Sequence, residues 1–489
     1  MHRRCTLQPT GVNWVIPPAA EAVHDYGRRV DDSKLGQRTL LITSAAVFMV
    51  SLEITIIALA FPQIQDAFPD TSEATLSWVI TAYNIGVASL LLLAGWWADN
   101  AGRKKVFLIG LIAFAAGSLL AGVAWSAPVL IGSRVLQSIG GAIQYPAGLA
   151  LLLSAFPPEK RPSAIGVWGA MGALAAALGP SLGGLLVEAL GWRSIFVINV
   201  PVAIVAAVVG ARWLQESRLP DVPARVDLIG VPLASLGIGA VLLGVVQAES
   251  FGVGSPLMIG AILAGIAMVI AFLVRSRSHP HPLFDLGLFS IRTYAVANAL
   301  TVLFVMAFFS WLVTMPTFIQ EEWGWSVLRT GFAIAPGPLV AMVFSMRAGL
   351  VAERIGAAPI LAVGGFAGAI GLVLQRLVFD ETPDYIVELL IPNLLIGVAA
   401  GCSFSMLVAA AMGEVPPAQF GMAGAGRTTI FQLGVAAGVA LGFAITAGAD
   451  DTAEALSSMH TLFLVGAALY ATQFVVFTWF FPRGASSLH

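Results

Sequence analysis

Two ionisable residues lie deep within long apolar runs of this 489-residue chain, Glu53 and Arg134. A charge at the centre of a bilayer costs at least about 2.5 kcal/mol, so each must face a cavity or a partner. Burial favours the neutral acid over the carboxylate, which suits Glu53 to carry a proton. No other acid falls deep inside an apolar run, which leaves Arg134 as the natural partner. Two roles are open. Glu53 binds a proton or a cationic substrate while Arg134 tunes it, or the two form a static ion pair between helices. The first is the favoured reading.

A second set of residues could do gating chemistry. The stretch Gly95-Trp96-Trp97-Ala98-Asp99-Asn100-Ala101-Gly102-Arg103-Lys104-Lys105 joins two apolar runs through a short polar loop. A degenerate copy, Gly349-Leu350-Val351-Ala352-Glu353-Arg354-Ile355-Gly356, lies 254 positions later, with glycine, alanine, acid and glycine at the same spacing. Gly95 and Gly102 suit close packing and a tight turn. Asp99 can bond basic groups or a helix end, so the loop reads as a latch between two halves. The basic run Arg103, Lys104 and Lys105 is also expected to anchor the loop at the cytoplasmic surface.

These residues need helices to hold them. Hydrophobic residues make up 58% of the chain and charged ones 11%, against roughly 25% charged in soluble domains. The apolar material is broken into fourteen runs of about 20 residues between 40 and 481, the length that crosses a bilayer. If the N-terminus is inside, the inner segments hold 20 of the 25 Lys and Arg residues. The outer ones hold three, Arg193, Arg329 and Arg376, and are acidic instead (Asp66, Asp70, Glu73, Asp380, Glu381, Asp450, Asp451). That bias predicts a multi-pass protein of the plasma (inner) membrane with both termini cytoplasmic. Glu53 then lies nine residues below Pro62, roughly 13 Å, and Arg134 six residues below Pro128, roughly 9 Å. Their depths agree to within side-chain reach.

The loop follows the second span and its copy follows the tenth. Two six-helix halves satisfy this only if two helices are inserted between them. The expected architecture is an all-α membrane protein of 14 transmembrane helices, 6 + 2 + 6, with two pseudo-symmetric halves. Its parts are a cytoplasmic tail (1–39), an N-terminal bundle (40–215), an inserted hairpin (227–274) and a C-terminal bundle (294–481).

Over about residues 40–480 the chain resembles the major facilitator superfamily, and within it the fourteen-span drug:proton antiporter branch. The Gly95–Lys105 loop is similar to the family's loop signature, with Trp97 for a usual leucine. Arg134-Val135-Leu136-Gln137-Ser138-Ile139-Gly140-Gly141 resembles the arginine motif of span 4. Gly166, Gly179, Pro180, Gly183 and Gly184 resemble the antiporter motif of span 5, with Ala175 for one glycine. Leu52-Glu53-Ile54-Thr55-Ile56-Ile57-Ala58-Leu59-Ala60-Phe61-Pro62 resembles the acidic motif of span 1, with Glu53 for the usual aspartate. The resemblance implies a major facilitator fold, proton antiport and a packed, kinked span 5 that limits leak. Small residues at three-to-four spacing there (Gly169, Gly172, Ala173, Ala176, Gly179, Gly183) independently suit close helix packing.

Polar and aromatic residues within spans are candidates for a substrate cavity: Tyr83, Asn84, Gln144, Tyr145, Asn298 and Trp311. Asn393 is a further candidate, and each could equally bond a neighbouring helix. Arg427, near the cytoplasmic end of span 13, could snorkel to the interface. No phosphate-binding loop is present, which disfavours ATP as driver. Cys5, Cys402 and the six histidines, including His279 and His281, show no disulfide or metal spacing. The expectation is a transporter, not an enzyme, with no cofactor and driven by the proton gradient. Its expected partners are hydrophobic or cationic small molecules, protons and the lipid bilayer, with no nucleic acid, and the chain works as a monomer. Export of an endogenous secondary metabolite or lipid-like compound is the alternative. A polytopic enzyme or sensor is the remote one.

Overall fold

In lipid, backbone polar groups must be satisfied within their own segment, so apolar runs fold as helices. The computed structural model describes residues 33–217, 227–247, 255–280, 282–380, 383–446 and 451–480, and no strand occurs among them. The expectations for the tail up to residue 32 with Cys5, for His281, Glu381 and Asp450, and for the Glu73, Ala176 and Pro180 side chains fall outside the described residues.

The main helices, in chain order, are α1 (Ser33–Ala67), α2 (Trp78–Ala101), α3 (Arg103–Gly122), α4 (Ala127–Ala155), α5 (Arg161–Leu190) and α6 (Asn199–Trp213). Then come α7 (Gly230–Val246), α8 (Pro256–Ser278), α9 (Arg292–Glu321), α10 (Pro336–Ile355), α11 (Ala357–Val378), α12 (Ile391–Met412), α13 (Phe420–Thr446) and α14 (Thr452–Val475). Among the described residues, 12 helical segments are long and apolar enough to cross a membrane. The 30-residue α5 and the 17-residue apolar α7 are not among those twelve. Helix α1 begins at Ser33, so residues 33–39, read from the sequence as tail, are helical.

The helix pairings repeat. In the first half α1 packs on α4, α5 and α6, α4 packs on α2 and α3, and α3 packs on α6. In the second half α9 packs on α12, α13 and α14, α12 packs on α10 and α11, and α11 packs on α14. Adding eight to each helix number converts one set into the other. The two seams between halves obey the same rule, with α2 against α13 and α5 against α10.

Both loop copies end their helix in the same way. Gly102, at φ 108°, alone separates α2 from α3, and Gly356, at φ 79°, alone separates α10 from α11. A side chain with a Cβ is disfavoured in that left-handed region, which is why each copy carries glycine there.

Helices α7 and α8 pack on each other, and α7 also lies against α2 and α13, so the pair covers one seam only. Backbones approach closely where Gly237 faces Val269 and Gly265 faces the Gly237 carbonyl, as small residues allow. Beneath the pair, Asp227 accepts from the Gly230 N–H (2.8 Å) and from Arg275 Nε (2.8 Å). Burial pushes this carboxyl up, but the Gly230 N–H and the Arg275 guanidinium outweigh it and hold it below the usual carboxylate range. The far face of α8 exposes Leu257, Leu263, Ile270 and Val274, an apolar stripe of the kind that meets lipid acyl chains.

Candidate functional site

The ion pair anticipated between Glu53 and Arg134 is formed, and both residues are buried. Five helices build its surroundings. Glu53 stands on α1 and Arg134 on α4. The guanidinium donates through Nη1 to Glu53 and to Gln137 Oε1 (2.5 Å), and through Nε to the Val79 carbonyl of α2 (2.7 Å). Gln137 is held in turn by the Ser118 hydroxyl of α3 (2.8 Å). Asn199, at the start of α6, donates to the second Glu53 oxygen (2.7 Å). The guanidinium stacks over the Tyr83 ring at 4.4 Å and faces Phe196 at 5.4 Å.

Arg134 therefore keeps acceptors besides the carboxylate. If Glu53 takes up a proton, the guanidinium retains Val79 and Gln137, and the acid retains Asn199. The pair can break and re-form without stranding either group, which a purely structural ion pair does not require. Asn199 and Ser118 carry no signal of this role in sequence, since isolated amides and hydroxyls are common in spans; Gln137 lies in the arginine motif, one turn from Arg134. Only the packing of α3, α4 and α6 around α1 brings them to the acid.

The second cluster lies at the end of the bundle that carries the loop. Asp99, the last acid of α2, accepts from the N–H groups of Gly421 (3.0 Å) and Met422 (2.8 Å) at the start of α13. The first amides of a helix lack intrahelical partners and form its positive end, so a carboxylate is well placed there. Arg103 donates twice to Asp99 (3.0 and 2.8 Å), and also to the Pro417 carbonyl (2.5 Å) and Ser154 Oγ (2.7 Å). Arg103 is 3% exposed, which corrects its reading as a surface anchor; it ties α3, α4 and the approach to α13 together. Lys104 and Lys105 fit the surface reading. Their backbone amides, at the open start of α3, are capped by Glu216 (3.0 and 3.1 Å), and Lys104 Nζ bonds the Ala211 carbonyl. Gly95 lies directly on Gly421 and Ala425, with no room for a side chain.

In the second copy Gly349 takes the place of Gly95 and packs on Pro162, Ser163 and Gly166 of α5. Its acid, Glu353, is exposed. Gly95 meets Gly421 where Gly349 meets Pro162, and proline has no N–H to offer a carboxylate. The backbone of the latch is duplicated; its charge is not.

Of the span 5 motif, Gly166 lies against the Ser345 carbonyl and Gly349 across the seam, and Ser345 Oγ donates to the Gly166 carbonyl (3.0 Å). Gly179 packs on Thr55 and Ile56 of α1, and Gly183 is buried. A Cβ at Gly184 would meet nothing within 4 Å, so packing does not explain that glycine. The α5 helix continues unbroken through position 180.

The candidate cavity residues do not form one group. Tyr83 belongs to the Arg134 site. Trp311 Nε1 bonds Gln375 inside the second half (2.8 Å), and Asn393 bonds the Ile334 carbonyl (2.8 Å). Asn84 is half-buried on α2. Tyr145 and Asn298 lie near the seam between halves, where Arg427 is 4% exposed, whereas Gln144 packs inside the first half against Gly110 of α3. Snorkelling is therefore not what Arg427 does.

A helical membrane protein with two equivalent six-helix units, a buried acid in the first and a helix-end latch between them has the construction of a secondary transporter. The chain matches the Major Facilitator Superfamily profile over residues 43–227 and 299–488, and it belongs to that superfamily. The unmatched interval contains α7 and α8. The chain is 33% identical over 413 residues to the puromycin resistance protein of Streptomyces alboniger, covering 84% of this chain and 82% of that one. It is 32% identical over 412 residues to the multidrug resistance protein Stp of Mycobacterium tuberculosis, covering 83% and 74%. These relatives place it in the drug and antibiotic resistance branch. Its fold is shared with a solved proton:xylose symporter (TM-score 0.64, 14% identity, 92% of this chain and 97% of that one).

Proposed function

We propose that this transporter expels hydrophobic or cationic organic compounds in exchange for protons by alternating access. The observation that carries the reading is the buried Glu53, held by Arg134 and Asn199 where helices of the first half converge. A proton entering from outside neutralises Glu53 and frees Arg134 to rest on Val79 and Gln137. Loss of the proton inward restores the pair. The Asp99–α13 contact holds the cytoplasmic side shut and must break for that side to open, so the two clusters alternate within one cycle. Fourteen spans in a 6 + 2 + 6 order, with α7 and α8 as the inserted pair, fit the repeated pairings and the two matched intervals. Both ends are then cytoplasmic in the plasma (inner) membrane. Every residue of both clusters comes from one chain, which supports a working monomer.

The test is drug-driven proton release in reconstituted vesicles. With a lipophilic cation or a neutral drug, wild type is expected to move protons and Glu53→Gln to lose at least nine-tenths of that movement. Undiminished proton exchange in Glu53→Gln would remove Glu53 from the carrier role.

A further inference from the structure

Arg427 is the buried charge that neither cluster uses. It lies on α13, six residues beyond Gly421, about 9 Å along the helix from the latch. It has no ion pair or hydrogen-bond partner among the described residues, and its Nε is wholly enclosed. Burying an arginine without an anion is costly in any protein and more so in a membrane, where such residues mark ligand paths.

Its neighbours can be placed by height. Tyr294 of α9 reaches the Ala423 carbonyl with its hydroxyl (2.9 Å). The backbone contacts of Gly434 with Val302 and of Gly438 with Met306 set Arg427 level with the first turn of α9, and Asn298, which donates to the Tyr294 carbonyl, lies about one turn beyond it. On α4, Leu149 meets Gly424, and Tyr145 lies one turn above it. Arg427 is within electrostatic reach of both Tyr145 and Tyr294. The Trp168 ring of α5 closes edge-on against Tyr145 at 5.1 Å. Gln144, Tyr145 and Trp168 line one narrow gap together with Thr43, Ala46, Val47 and Val50 of α1. Asn298 Oδ1, Trp168 Nε1 and both amide atoms of Gln144 are buried without partners. Orphaned buried polar atoms are uncommon in folded proteins, and here they lie on α4, α5 and α9.

We propose that this level of the seam, centred on Arg427, is a binding site for flat aromatic compounds that bear an ionised oxygen acid, such as a carboxylate or phenolate. The guanidinium and the indole N–H are donors without acceptors, which a negative oxygen group would satisfy. Tyr145 offers an edge and face for an aromatic body. Four helices contribute, two from each half, so a bound ligand touches both halves. It also lies directly above the Asp99 latch, where opening of the cytoplasmic side would admit it. The assignment rests on the efflux reading and departs from its cationic arm: Arg427 would repel a cation at this level.

The experiment uses two dyes with the same xanthene skeleton and opposite charge, fluorescein and rhodamine 6G. Binding to purified full-length protein in lipid nanodiscs is measured by fluorescence polarisation at pH 8, without a proton gradient. Wild type is expected to bind fluorescein, Arg427→Gln to bind it at least tenfold more weakly, and Arg427→Lys to recover part of the loss. Rhodamine 6G is expected to bind Arg427→Gln as well as, or better than, wild type. Trp168→Phe, which keeps the ring and removes the N–H, is expected to weaken fluorescein several-fold. It serves as a second readout if Arg427→Gln does not fold. Equal fluorescein affinity in wild type and Arg427→Gln, or an equal loss for both dyes, would overturn the assignment. No gradient is involved, so binding at this level is measured apart from proton coupling. A failure of proton coupling is thereby read separately from a failure of this site.

Discussion

The two copies of the loop share a backbone and differ in their chemistry. Gly102 and Gly356 both take the left-handed conformation, and Gly95 and Gly349 both press against the start of a helix from the opposite half. Only Asp99 finds helix-end amides and an arginine; Glu353 faces outward, with Ala357 where the first copy has Arg103. Duplication has kept what packing requires, and charge is kept where a helix start can donate to it. The two seams are accordingly expected to open at different energetic cost. The helix pair α7–α8 leans only on the seam that holds Asp99, which adds to the difference.

The comparison can be broken most sharply by neutralising each acid. Asp99→Asn keeps one acceptor for α13 but leaves the buried Arg103 without a counter-charge, held only by the Pro417 carbonyl and Ser154. Its initial efflux rate is expected to fall at least tenfold, while Glu353→Gln stays within twofold of wild type. Equal losses in a vesicle uptake assay would mean that both copies gate.

The turn glycines come next. Replacing either by alanine forces a side chain into a strained conformation, for about 1–3 kcal/mol. A Cβ at Gly102 would also lie 2.8 Å from the Glu216 carboxylate that caps α3. Gly102→Ala should therefore lower the melting temperature more than Gly356→Ala, as read by thermal denaturation in detergent.

Asp227 reports on the inserted pair. Its carboxyl is held below the usual range, so its contribution is fully present above the unfolded value near 4. It fades as pH falls through the folded value. Asp227→Asn is expected to cost about 2 kcal/mol at pH 7, with the gap to wild type closing below about pH 4. A gap independent of pH would exclude the charge as its source. The smallest effect is expected from Pro162→Gly, which offers Glu353 an amide it lacks. Whatever Pro162→Gly costs the start of α5, adding Glu353→Gln to it should cost a few tenths of a kcal/mol more in thermal stability, against no change when Glu353→Gln is made alone; that difference would indicate that a second latch can be installed.

Much of this was legible in the residues themselves. Run lengths and the repeat spacing yield the helices and the halves. Matching depths along two spans are enough to pair Glu53 with Arg134. Asp99 could be recognised as a latch, but its partners could not, because backbone amides of Gly421 and Met422 leave no mark on residue type. Asn199 and Ser118 were hidden for a related reason: each is an ordinary polar residue until folding brings it to the Glu53–Arg134 site. Arg427 misled because distance from a helix end suggests an exposed head, whereas the seam between halves encloses it.

The most direct test of the asymmetry measures both seams at once. Spin labels at Lys105 and Ala418 span the latched seam, and labels at Lys160 and Glu353 span the other, in a chain with Cys5 and Cys402 replaced by alanine. In nanodiscs, Asp99→Asn should add a longer component to the Lys105–Ala418 distance distribution by electron double resonance. In the Lys105–Ala418 pair, Glu353→Gln should leave the distribution unchanged. A Lys105–Ala418 distribution that ignores Asp99→Asn would contradict the latch.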